Sequence, residues 1–454
     1  MVITTSGFSP LARLNGRASG LQDLNIAEYA GPIGLHSPDE IEQKIEAALI
    51  DQIIAGLCAS TSAPSDKEDQ QHWDPRQIIY RGDFDEVNQY FTRQDWTDGL
   101  PIVPPTSARI EQFLTYWDGR PDEPIANLQS ANLAAVPWNI AANGVMAGCS
   151  PEHMPLLIAA VRALADERCS LSNIGSTSML VPYILINGPI IQQLNIAHGA
   201  QLINRGSNPT IARALGLIVK NIAGFHPGKT YMGTFGYPQP FTLAESAQDN
   251  PWTTFQVDQG FEEHANTVTI GVTNNWGPLP APAGTADKNG AQVALELLMR
   301  EISKRARLFD FPGRGPKAEK AMLTLMLSPP IAQSLAQAGY TKQSIKQFLY
   351  ENTVMSLREF EWLYKYTTPG LATLEEKVRE GVYPAEFLGD LDSTVRILSS
   401  PDILHIIVCG DLHRNRLMVM EGGHTEPTTK AIELPANWDE LLAARTLNTK
   451  ETTR

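Results

Sequence analysis

The chain has 454 residues, 43% hydrophobic and 19% charged, with 36 Lys and Arg against 50 Asp and Glu for a net charge of −14. At about 100–200 residues per domain, that length predicts two or three domains with sizeable cores. The acidic balance and the lack of any dense basic run argue against a nucleic-acid partner, because phosphate contacts need clustered Lys and Arg.

Residues 1–37 read as irregular. A helix is predicted over 37–57, with Ser37 as its cap, Pro38 in its first turn, and Asp39 and Glu40 at the positive end of its dipole. Ile41, Ile45, Leu49 and Ile53 share one face, with Ala48 and Leu57 beside them. The stretch ASTSAPSDKEDQQ (59–71) reads as a linker. The helix therefore docks either on its own chain, the simpler expectation, or on a partner. Together, residues 1–75 form an N-terminal extension.

A main domain is expected over 76–290. Its first part, RGDFDEVNQYFTRQDW (81–96), is helical in character, and WTDGLPIVPPT (96–106) follows. Asp98-Gly99 is a turn signal, and Pro101, Pro104 and Pro105 hold an extended path into a helix capped by Thr106. This is a rigid entry into a helix, either a structural corner or a loop that presents Asp98 and backbone N–H groups to a ligand. Small residues over 134–147 predict a closely packed helix ended by Gly148, and Ser150, Pro151 and Glu152 open the next. SMLVPYILINGPI (178–190) reads as a buried strand. RGSNPTIARALGLIVKNIAG (205–224) reads as a helix with Asn208 at the cap and Gly224 past the end. Strand-like runs cover 240–246 and 266–273.

A Pro- and Gly-rich loop (277–290), a helix and a boundary near 310–321 separate a smaller C-terminal α/β domain, 318–445. It holds two helices over 328–353, a strand–turn–strand over 403–422 and a last helix after Pro435. The helix pair lacks the basic side chains of a DNA-reading element. Strands alternating with helices predict an α/β fold, with helices layered on a mixed sheet. No run of ~18 apolar residues predicts a membrane span, and the N-terminal twenty residues lack a leader's apolar core.

Several of these segments together resemble one family. WTDGLPIVPPT (96–106), NGVMAGCSPEHMPLLIAAVRAL (143–164), ILINGPI (184–190), NPTIARALGLIVKNIAG (208–224), AES with NPW (244–252) and the LPANWDELLA tail (434–443) are similar to the large bacterial proteins related to the UGSC selenoprotein family. The likeness runs from about residue 85 to the C-terminus. The Sec/Cys-Gly-Ser-Cys motif of that group is absent; its nearest echo is Cys409-Gly410-Asp411. Dithiol chemistry needs a second, resolving thiol, so the resemblance implies a companion of such proteins and carries no substrate or cofactor with it.

The four cysteines, Cys58, Cys149, Cys169 and Cys409, include no CxxC pair and suit a reducing, cytoplasmic setting. Cys149 stands just before the Ser150 helix start, where a positive dipole end stabilises a thiolate and spare N–H groups can hold a carboxylate. The plain alternative is a small buried cysteine at a turn. Glu245, at a strand end, is placed for acid–base work, or is a solvated strand-end carboxylate. His226, past a helix C-terminus, is a base or simply a histidine favoured by the dipole. Asp98, Gly99, Ser150 and Asn208 are the expected substrate-binding residues. His405, Cys409, His413 and His424 fit no tight zinc spacing, so no metal is expected. No P-loop, dinucleotide or nucleophile-elbow motif occurs, and the cofactor is left open.

These residues point to an enzyme of unspecified class, a lyase or another cysteine-dependent activity, acting on a polar carboxylate-bearing metabolite. The alternative is a non-catalytic subunit or scaffold that partners a redox or biosynthetic enzyme. The protein partner to be expected is a second copy of the chain, in a homo-oligomer, or a companion subunit.

Overall fold

Seven short strands build two mixed sheets stacked face to face. The computed structural model describes residues 1–18, 20–21, 23–33, 36–59, 76–128, 133–177, 180–236, 239–275, 277–305, 322–367, 373–422 and 425–452. The main sheet places Val181–Asn187 between Phe241–Glu245, which runs parallel to it, and Thr267–Thr273, which runs antiparallel. The second sheet centres on Leu323–Leu327, parallel to Leu404–Val408 and antiparallel to Leu417–Glu421.

Alternation along each strand decides the layers. Val181, Tyr183 and Leu185 face Ile407, Cys409, Met418 and Met420 of the second sheet. Ile184 and Ile186 point the other way, into the helices Pro137–Ala147, Met154–Leu164 and Asn208–Asn221. Leu323, Leu325 and Leu327 likewise turn outward, onto Gly290–Arg305, Pro329–Gln337 and Lys342–Asn352. The result is four layers: helices, sheet, sheet, helices. Ile184 and Leu185 are fully buried on opposite faces, and each contributes about 1.5–3 kcal/mol by leaving water. The expected α/β class with mixed sheets among helices is what the structure shows.

The small residues of Pro137–Ala147 do allow close packing. A Cβ on Gly144 would come within 2.8 Å of Phe113 and 2.9 Å of Leu157. Gly148 ends that helix in the left-handed region, at φ 83°.

Several expectations change. Residues 403–422 form two strands but no hairpin, because Leu323–Leu327 inserts between them. The segment 318–445 does not stay with one sheet: Thr428–Ala431 crosses back and pairs with Thr267–Ile270 as the main sheet's edge. Residues 1–37 are not irregular. Val2–Thr5 and Ile26–Tyr29 pair in parallel around the helix Ser9–Ala18. Their four-residue runs are too short and too polar to show a period.

The 37–57 helix forms as expected, with Ser37 and Glu40 in a reciprocal capping box. Its middle, Ile45–Leu49, is a π-turn. Ile41, Ile45, Leu49 and Ile53 pack on Ala27 and Tyr29 of its own chain, whereas Leu57 is exposed. The expected linker beyond Ala59 and the 310–321 boundary lie outside the described residues. Among the described residues, no helix is long and apolar enough to cross a membrane.

Candidate functional site

The WTDGLP segment lies across the helix Asn208–Asn221. It leaves the helix Phe84–Arg93 through Asp95, at φ 60°, and turns again at Gly99, at φ 89°. Asp tolerates the left-handed region better than most residues, and Gly tolerates it freely. Between these two bends the loop is clamped from the helix side. Arg213 holds Asp98 with two hydrogen bonds, Nε to Oδ2 and Nη2 to Oδ1, both 2.8 Å. Its Nη2 also donates to the Pro101 carbonyl at 2.9 Å. Lys220 donates to Asp95 Oδ1 at 2.7 Å and to the Thr97 carbonyl. Asn221 donates to the Trp96 carbonyl at 3.0 Å.

Arg213, Gly216 and Lys220 stand at i, i+3 and i+7, so one helix face carries all three. That face and the loop enclose a cavity of about 440 Å3, lined also by Thr97, Asp98, Tyr231 and the sheet residues Val181 and Pro182. This volume suits a small-molecule pocket. Asp95 collects further partners at the cavity wall, Lys229 at 3.1 Å and His226 Nδ1 at 3.2 Å. Three cations therefore face two carboxylates, which leaves one positive charge in an otherwise acidic chain.

Burial would raise both carboxyls, but cations outweigh it. Lys220 and Lys229 hold Asp95 down at about 2. The Arg213 guanidinium keeps Asp98 below the usual carboxylate range. Both are fixed anions at neutral pH: they position cations and do not carry protons. His226 is also shifted down, but for a histidine that favours the neutral form. Burial lowers its pKa, partly opposed by Asp95, so the ring is neutral at pH 7. With Nδ1–H held by a carboxylate, Nε2 carries the free lone pair.

Of the expected site residues, Asp98 and Gly99 line this cavity. His226 does not line it; its neighbours Phe225 and Pro227 do, and its Nδ1 reaches Asp95 on the wall. The others lie elsewhere. Cys149 is buried, and its Sγ donates to the Thr210 carbonyl at 3.2 Å. Burial pushes its thiol up to about 12, the opposite of the expected helix-lowered value. The Ser150 amide beside it is taken as well, donating to His153 Nδ1 at 3.2 Å. Beyond, Glu152 meets Arg445 at 3.0 Å, and burial takes His153 down to about 4.

Asn208 caps nothing. Its Oδ1 accepts from the Ala197 amide and its Nδ2 donates to the Ala197 carbonyl, which pins a loop to the helix. Glu245 is neither solvated nor in the cavity. It accepts from Asn187, Asn250 and the amides of Phe255 and Val408, at 2.6–2.9 Å. The Val408 bond ties the main sheet to the second one.

Sequence reasoning missed Asp95, Arg213, Lys220, Lys229 and Tyr231. A legible signal existed: Arg213 and Lys220 are the only charged side chains of the helix Asn208–Asn221 and are seven residues apart. Among the described residues, no group of three or more His, Cys, Asp or Glu side chains is placed to hold a metal ion. His405 packs against Met322 Sδ and the Phe255 ring, and burial lowers its pKa to about 3. His424 lies outside the described residues. In comparisons with known proteins, no family model and no curated protein matches the chain, so the reading of this site rests on its geometry.

Proposed function

We propose that the protein is an enzyme that binds a small carboxylate-bearing metabolite in the cavity between the 95–99 loop and the helix Asn208–Asn221. One observation carries this reading. Arg213 spends Nε and Nη2 on the loop, while its Nη1 makes no bond among the described residues. Lys220 uses two of its three donors. A guanidinium edge and an ammonium hydrogen, both held in place by fixed carboxylates, suit a ligand carboxylate. Because their partners hold them beforehand, little ordering is needed when the ligand arrives.

His226 supplies the chemistry in this reading. Its Nε2 takes a proton from the carbon next to the ligand carboxylate, and the electron pair left behind is stabilised by Arg213 and Lys220. If a leaving group stands on the neighbouring carbon, that pair forms the double bond as the group departs, which is a lyase reaction. Buried Cys149 has no part in it. The loop that builds the wall, 96–101, opens the motif that carries the resemblance to the UGSC-related proteins, and kinship with them belongs to the same proposal. So does a cytoplasmic setting, supported by the free state of all four cysteines.

The test is a calorimetric screen of mono-, di- and hydroxycarboxylates against the wild type and Arg213→Lys. Lysine retains the charge but has neither the second fork to Asp98 nor the free Nη1. Binding by at least one class, weakened ten-fold or more in the variant, is the expected result. If no carboxylate binds at millimolar concentration, or the variant binds as well as the wild type, the reading fails.

A further inference from the structure

We propose that the protein forms a dimer in which the N-terminal helix of one copy lies in a groove on the other copy. Two exposed surfaces of the same chain carry this inference, independently of the cavity.

The first is on the helix. Beyond the face that packs on Ala27 and Tyr29, Ile50, Ile54 and Leu57 form a second stripe at i, i+4 and i+7. They are 42%, 54% and 68% exposed. Glu46 and Asp51 flank the stripe, and residues 37–58 hold five acidic side chains against Lys44 alone.

The second is a groove of about 1390 Å3 behind the cavity loop, bounded by the extended segment 76–83 and the helices Ser107–Leu114 and Pro137–Ala147. Its volume exceeds the ~300–1,000 Å3 of most metabolite pockets and suits a polypeptide segment about 10 Å across. Ile78, Ile79, Phe84 and Leu133 line it, each about half exposed. Arg76, Arg81 and Arg109 also line it, against the single carboxylate Asp83. Asp83 is itself committed to capping the helix Phe84–Arg93.

The two surfaces are complementary in charge and in apolar character: an acidic helix with an open aliphatic stripe, and an arginine-bordered aliphatic groove. Among the described residues nothing of the same chain covers either surface, and their complementarity assigns the helix in the groove to a second copy. Sixteen residues separate Ala59 from Arg76, enough to reach about 50 Å when extended. A two-fold exchange then fills both grooves and covers both stripes.

Light scattering on the full-length protein at micromolar concentration reads the outcome. The expected wild-type mass is that of two chains. Ile54→Glu is expected to give a single-chain mass with an unchanged circular dichroism spectrum at 25 °C, since Ile54, 54% exposed, contributes little to its own core. Arg81→Glu with Arg109→Glu is expected to dissociate the dimer as well, and adding Glu46→Lys with Asp51→Lys to restore it. A wild-type mass of one chain overturns the proposal, including the case in which hydrogen exchange finds residues 50–57 protected by seating within that one chain. A dimer that survives Ile54→Glu overturns it too.

Discussion

Two carboxylate hubs in this molecule look alike in a list of bonds and differ in kind. Glu245 accepts four hydrogen bonds at 1% exposure, and every donor around it comes from the walls of the core. Burial raises its pKa, opposed by Lys342 and by the amides of Phe255 and Val408. The Asp95–Asp98 pair also collects many donors, but two of them, Arg213 and Lys220, line a cavity and keep donor hydrogens unbonded among the described residues. Partner count therefore does not mark a site. A site holds donors in place and leaves some of their capacity open, whereas a structural hub leaves none. Glu245 joins two sheets; Asp95 and Asp98 hold Lys220 and Arg213 in the cavity wall.

The largest expected effect would break the comparison at Glu245. Glu245→Ala strands four buried donors between the sheets and should cost about 3–5 kcal/mol in denaturant unfolding, the range for removing one member of a buried polar set. A change below about 1 kcal/mol would show that water replaces the carboxylate, and the two hubs would not differ as described. Next comes His226→Ala, which should leave the fold and carboxylate binding intact while turnover of the bound ligand falls about 10²–10⁴-fold. In the wild type, the acid limb of kcat/KM should have a midpoint below the ordinary histidine value of 6.5, with activity rising as pH increases and His226 loses its proton. A limb above that value would assign the base to another group.

Arg213→Ala sharpens the contrast from the cavity side. It should cost about 1.5–3 kcal/mol in stability, because Asp98 loses two charged hydrogen bonds, and it should abolish carboxylate binding in calorimetry. If affinity is kept while stability falls, the Asp98 cluster is structural, as Glu245 is. The smallest effect is expected at Cys149. Of the four free thiols only Cys58 is exposed, so iodoacetamide followed by peptide mapping of the folded protein should label Cys58 alone. Labelling of Cys149 at neutral pH would contradict both its burial and its raised pKa.

The buried strand Val181–Asn187, the capped helix after Thr106, the Ser37 cap, the Gly148 stop and the turn at Asp98-Gly99 were all legible in the sequence. Each depends on interactions within about one turn or one strand: side-chain period, cap chemistry and the backbone freedom of Gly and Pro. The partners of Glu245, the fate of Cys149 and the union of Asp95 with Lys220 and His226 were not legible, because those contacts join positions 125 or more residues apart or bury a group among distant elements. A strand-end glutamate reads the same whether solvent or a second sheet lies beyond it.

By itself, then, the sequence determined the α/β class, most helix and strand positions and the turn and helix cap that bound the 96–106 loop. Only the tertiary structure decided that Thr428–Ala431 returns to the first sheet and that Leu323–Leu327 divides 403–422. It also decided which carboxylates face a cavity. The physical reason is that local propensity sets conformation, whereas burial and charge, which set chemistry, depend on what the rest of the chain brings alongside.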